Sequence, residues 1–139
     1  MSPSGQERMF RKGYAGELLR IAESDLDTVE YLLEGLTQGR IRGESYFFAV
    51  QQVLEKALKA VLVHRGIPVP MVHDLGVLLA KVPRECEPPF GYEIGALTEF
   101  AAARRYEESS LEWGLEEAQE ALGLGKSAVD WARGVIAPA

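Results

Sequence analysis

The segment Ser45–Arg65 constrains this chain more than any other. Phe47, Val50, Leu54, Leu58, Val61 and Leu62 recur at helical spacing, and Phe48, Ala49, Val53 and Ala57 widen the stripe beyond one face. A helix that lies on a surface needs only one apolar stripe. A helix apolar on more than one side needs neighbours on more than one side, so this segment is predicted to be the central helix of a bundle. Gly66 stands where a left-handed cap is wanted, and Pro68 and Pro70 block continuation. Gly66–Val72 is therefore read as a connecting loop.

The remaining chain repeats the helical period. In Gly16–Leu36, the residues Leu18, Ala22, Leu26, Val29, Leu33 and Leu36 share a face, and Thr37-Gln38-Gly39 ends the run. Glu17, Glu23, Asp27, Glu30 and Glu34 occupy other faces, as solvated residues do. His73-Asp74 opens a shorter helix to about Val82. Asp74 or His73 is its cap, and Leu75, Leu78, Leu79 and Val82 form its buried side. Pro83–Pro89 breaks the chain. A fourth helix is expected from about Tyr92 to Arg105, carried by Ile94, Leu97, Phe100 and Ala101. A fifth is expected from about Leu115 to Val135, carried by Ala118, Leu122, Gly125, Val129 and Ala132. Gly123 and Gly125 each cost about 1 kcal/mol relative to alanine, which close packing against a neighbour would explain. No stretch alternates with the period of a strand. The expected fold is all-α: an antiparallel up-and-down bundle of four to five helices, one domain over residues 1–139, with about 1–13 as a polar extension.

Composition excludes several classes of function. Cys86 is the only cysteine and His64 and His73 the only histidines, so neither a disulfide scaffold nor a four-ligand zinc site of cysteines and histidines can form within the chain. No metal or cofactor is expected, and nothing marks Cys86 as reactive. The net charge of −6 and pI near 5.0 argue against coating nucleic acid by bulk charge, while leaving a local basic site open. No apolar run has the length of a membrane span, and Met1–Lys12 lacks the apolar core of a signal peptide. A cytoplasmic protein is expected.

Some polar residues suggest more than a solvated surface. Gln52, Glu55, Lys56 and Lys59 are related by steps of three and four and line one face beside the apolar stripe. Glu55 with Lys59 is an i, i+4 pair worth about 0.2–0.5 kcal/mol if exposed. The bland account is a solvated stripe with one ion pair. Yet Gln51–Arg65 sets Glu55 against Lys56, Lys59 and Arg65 in an acidic chain, and Arg104-Arg105 forms a second basic pair. Those arginines either complement a helix dipole or converge with Lys56 or Lys59 on an anion, where the guanidinium fork suits phosphate. His73 either caps its helix or bonds backbone, or it contacts a ligand or moves a proton.

The run Phe47-Phe48-Ala49-Val50-Gln51-Gln52-Val53-Leu54-Glu55-Lys56-Ala57-Leu58-Lys59 resembles the central-helix signature of small prokaryotic HEPN (higher eukaryotes and prokaryotes nucleotide-binding) domains: an aromatic, then Gln-Gln-x-x-Glu-Lys-x-x-Lys. Gly66, His73-Asp74-Leu75, Leu78-Leu79 and Arg105-Tyr106 extend the resemblance in order. It implies a helical bundle, commonly a homodimer, with a nucleotide-binding role. It also implies a minimal nucleotidyltransferase protein as partner, in pairs resembling toxin–antitoxin systems. On this basis Gln52, Glu55, Lys56, Lys59, His73 and Arg105 are the expected ligand-binding residues. The lysines, His73 and Arg105 would meet anionic groups, and Gln52 and Glu55 would orient them or read a base or ribose.

Other branches of the family are metal-independent ribonucleases, whose motif is an arginine followed after four to six residues by a histidine. Arg65 precedes His73 with Gly66, Pro68 and Pro70 among the intervening residues, and no histidine follows Arg105, so that motif is not met. Glu107 stands where close relatives have proline after Arg-Tyr. A binding module is thus favoured, and RNA is a less favoured ligand. The first alternative is a divergent ribonuclease with His73 as acid/base and Arg65 or Arg105 stabilising charge. The second is a purely structural homodimer module.

Overall fold

The computed structural model describes residues 6–91, 93–95, 97 and 114–136. The chain enters through a short strand, β1 (Glu7–Arg8), and turns into α1 (Tyr14–Thr37). Helix α2 (Gly43–His64) returns alongside α1, and β2 (Val69–Pro70) follows. Next come α3 (Leu75–Ala80), a 3-10 turn at Arg84–Cys86, helical residues 91, 93–95 and 97 (α4), and α5 (Leu115–Ile136). The protein is an all-α bundle, as its periodicity implies. Of the expected fourth helix, Ile94 is buried and Leu97 packs against the core; Phe100, Ala101 and Arg105 lie outside the described residues.

Helix α2 is central, packed by α1, α5 and α3. Phe47, Val50, Val53, Leu54, Ala57, Leu58, Val61 and Leu62 are all buried on it. They meet Leu18, Ala22 and Val29 of α1 and Ala118, Val129 and Ala132 of α5 within one core. Phe48 is the exception to the expected stripe. It is 57% exposed, because the flank it occupies has no helix over it among the described residues.

The C-terminal ends of α1 and α2 close in the same way. Arg40 N–H reaches Gly35 O and Gly39 N–H reaches Leu36 O; Ile67 N–H reaches Leu62 O and Gly66 N–H reaches Val63 O. These paired bonds satisfy the last carbonyls and require a left-handed residue, supplied by Gly39 and Gly66, each at φ +71°. At the start of α3, Asp74 is the cap: its Oδ1 accepts from Gly76 N at 2.8 Å and Val77 N at 3.3 Å.

Buried polar groups fix how the layers meet. Tyr46 Oη donates to the Ala118 carbonyl at 2.7 Å, joining α2 to α5. Trp131 Nε1 donates to the Cys86 carbonyl at 2.8 Å, and its ring meets Phe90 edge-on at 6.0 Å. These contacts hold the segment between α3 and α4 against α5.

The expectation of a chain without strands is corrected at its N-terminal end. Glu7 pairs with Pro70 and Arg8 with Val69 in an antiparallel ribbon. Val69 and Pro70 are buried, so the ribbon closes over the end of α2. Two residues per strand are too few to show alternation in sequence.

Candidate functional site

The site is built around Glu55. This carboxylate lies in the middle of α2, and the residue is only 4% exposed, so the solvated stripe of the bland account does not describe it. A buried carboxylate needs partners for both oxygens. Oε2 accepts from Lys59 Nζ at 3.1 Å, one helical turn on, and Oε1 lies 2.9 Å from His73 Nδ1. The Lys59 side chain is 15% exposed, whereas that of His73 is 86% exposed. Glu55 thus anchors one ring edge from below and leaves the other in solvent.

The roles follow from the partners. A carboxylate only accepts, so Nδ1 carries the proton, and in the neutral ring Nε2 is an outward acceptor. Lys59 Nζ spends one donor on Glu55 and keeps others for a ligand. His73 therefore does not cap α3, and its ring instead ties the start of that helix to α2.

A second pair of residues flanks this group. Lys56 Nζ donates to Gln52 Oε1 at 3.3 Å and stands 3.6 Å from Asp25 Oδ2 of α1. Gln52, Glu55, Lys56, Lys59 and His73 are thus joined in two small networks along one stretch of α2. Arg105 lies outside the described residues. Arg65, offered as a partner for His73 under the ribonuclease alternative, is instead paired with Glu85 at 3.4 Å. It sits at the C-cap of α2, where the Schellman turn carries it toward the 3-10 turn. Asp25 was not legible as a site residue, because only the register of α1 on α2 brings it to Lys56.

Nearby, His64 ends α2. Burial pushes its imidazole below the usual histidine range, and the charges of Lys12 and Arg65 push the same way. Among the described residues, no three side chains of His, Cys, Asp and Glu converge as metal ligands would, and no helix is long and apolar enough to cross a membrane.

A family model described as the HEPN domain matches residues 15–135. The chain belongs to the HEPN-domain family. The match takes in the whole Gln52–Lys59 face and His73 and begins at Ala15, so β1 and the turn into α1 lie outside it. HEPN domains are in general associated with nucleotides and RNA. No curated protein and no solved structure matched this HEPN chain.

Proposed function

We propose that this HEPN domain is a nucleotide- or phosphate-binding module whose contact residues are Gln52, Lys56, Lys59, His73 and Arg105, with Glu55 orienting them. The observation that carries this reading is the use of buried Glu55 to orient both Lys59 and an exposed His73. A ligand phosphate would accept from Lys59 and, when the ring carries its second proton, from Nε2 at the outer edge of His73, and Lys56 and Arg105 would add charge. Because Glu55 already fixes these donors, little side-chain entropy is lost on binding.

Calorimetric titration with ATP and with inorganic phosphate tests the reading. In Lys59→Ala/Arg105→Ala the affinity should fall about tenfold or more, roughly 1.4 kcal/mol, with the fold retained. Unchanged affinity refutes the pocket. If Lys56→Ala changes oligomeric state rather than affinity, the face is a structural homodimer surface.

From the family resemblance we further infer a cytoplasmic homodimer acting with a minimal nucleotidyltransferase protein in a toxin–antitoxin-like pair. Co-purification with a transferase encoded beside it, and scattering-derived mass, test these two points. A ribonuclease reading is favoured by one observation: the Glu55–His73 contact orients an imidazole with Nε2 outward, as general acid/base work requires. Cleavage of tRNA in EDTA by the wild type and not by His73→Ala would establish it. Absence of cleavage leaves the binding module.

A further inference from the structure

Seven of the thirteen described lysines and arginines are paired with a carboxylate: Arg42, Lys56, Lys59, Arg65, Lys81, Lys126 and Arg133. Of the other six, Arg20, Arg40 and Arg84 are scattered along the chain, whereas three cluster at the N-terminal end. Arg8, Arg11 and Lys12 are exposed and have no carboxylate partner among the described residues. The two acidic groups nearby do not cancel them: Glu7 is held by Lys81 at 3.3 Å, and Glu17 lies on the first turn of α1. An acidic chain thus exposes a basic strap at one end.

The strap is also held in place. β1 is hydrogen-bonded to β2, and Met71 N–H donates to Gln6 O at 3.1 Å. The Arg8 guanidinium lies 5.5 Å from the Phe10 ring centroid, and Phe10 stacks on Tyr14 at 4.9 Å. Aromatic contact fixes a guanidinium without using its N–H donors, so the fork of Arg8 stays available for two oxygens. Lys12 sits at the other end of the strap, near enough to His64 to repel its proton. At the Gln6 end, the strap abuts Met71. His73 is two residues further on, within about 7 Å along an extended chain.

We propose that the strap Arg8–Lys12 binds the sugar–phosphate backbone of a single-stranded polynucleotide whose terminal or reacting nucleotide lies at His73. The continuation into the His73 site rests on the nucleotide-binding reading above; the strap itself does not. Arg8 lies on β1 and Lys12 in the turn that leads into α1, four residues further along the strap, which suits successive phosphates of a strand rather than one compact anion. The strap lies outside the residues that the HEPN model matches, so it is an addition to the domain.

The test measures anisotropy of labelled oligouridine, about sixteen nucleotides long, in EDTA between about 50 and 200 mM KCl. Titration with ATP and with phosphatidylglycerol vesicles runs in parallel. Each phosphate contact on a single strand contributes about 0.7 to the slope of log affinity against log salt. Arg8→Ala/Lys12→Ala should therefore flatten the slope by about 1.4, weaken RNA binding severalfold at low salt, and leave ATP affinity unchanged. Arg8→Lys/Lys12→Arg should keep the slope. No RNA binding by the wild type, an unchanged slope in the double variant, or binding of vesicles in place of RNA overturns the proposal. If ATP fails to bind while the RNA slope still depends on Arg8 and Lys12, the pocket reading falls and the strap stands.

Discussion

Glu55 Oε1 lies 2.9 Å from His73 Nδ1, joining a buried carboxylate on the central helix to an exposed ring at the start of α3. Glu55→Gln separates the consequences of this contact. An amide has one acceptor oxygen, so either Lys59 or His73 meets an NH2 group instead. The expected loss is about 1–3 kcal/mol, read from the denaturant midpoint. The same variant should mix the His73 tautomers, whereas the neutral wild-type ring should carry its proton on Nδ1. Long-range proton–nitrogen NMR checks this, and an unchanged tautomer in the variant would contradict the assigned role.

Tyr46 links stability to alkaline pH. Burial pushes its hydroxyl up to about 12, while in the unfolded chain it ionises near the ordinary 10. Between these values the unfolded chain binds fewer protons. The stabilisation is therefore complete below pH 10 and is lost as pH rises toward 12, by up to about 1.4 kcal/mol per pH unit. Tyr46→Phe should cost about 1 kcal/mol at neutral pH, because Ala118 O keeps its helical partner. The alkaline slope of the variant should be shallower in the same denaturation series.

Leu54 and Phe48 lie on the same helix and should respond very unequally to truncation. Leu54 is fully buried, and Leu54→Ala is expected to cost about 2–5 kcal/mol. Phe48 is largely solvated, so Phe48→Ala should change stability by no more than about 0.5 kcal/mol. Equal effects on the two midpoints would show that the wrong face of α2 had been assigned to the core.

Gly123 and Gly125 test propensity against packing. A Cβ on Gly123 meets nothing within 4 Å, so Gly123→Ala should stabilise α5 by up to about 1 kcal/mol. A Cβ on Gly125 would lie 3.3 Å from Leu26 Cδ1 and 3.7 Å from Val53 Cγ1. Leu26 must give way, and Gly125→Ala should gain clearly less than Gly123→Ala in thermal midpoint. Close packing thus explains Gly125 and not Gly123.

Local spacing was enough to place the helices and their order along the chain. The apolar period of Ser45–Arg65 marked α2 as central, Gly39 and Gly66 marked helix ends, and Asp74 was one of two capping candidates. These signals are local: side chains three or four apart share a face, and a cap acts within one turn. The alignment of Gln52, Glu55, Lys56 and Lys59 was legible for the same reason.

What those residues face depends on packing between distant segments. The burial of Glu55, the contact of His73 with it, the pairing of Lys56 with Asp25, the diversion of Arg65 to Glu85 and the exposure of Phe48 all depend on how α1, α3 and the 3-10 turn pack on α2. The β1–β2 ribbon depends on it too, since each strand contributes only two residues. Helical period fixes a residue's angle on its own axis. The neighbour at that angle is set by the register and crossing of helices distant in sequence, which no local spacing records.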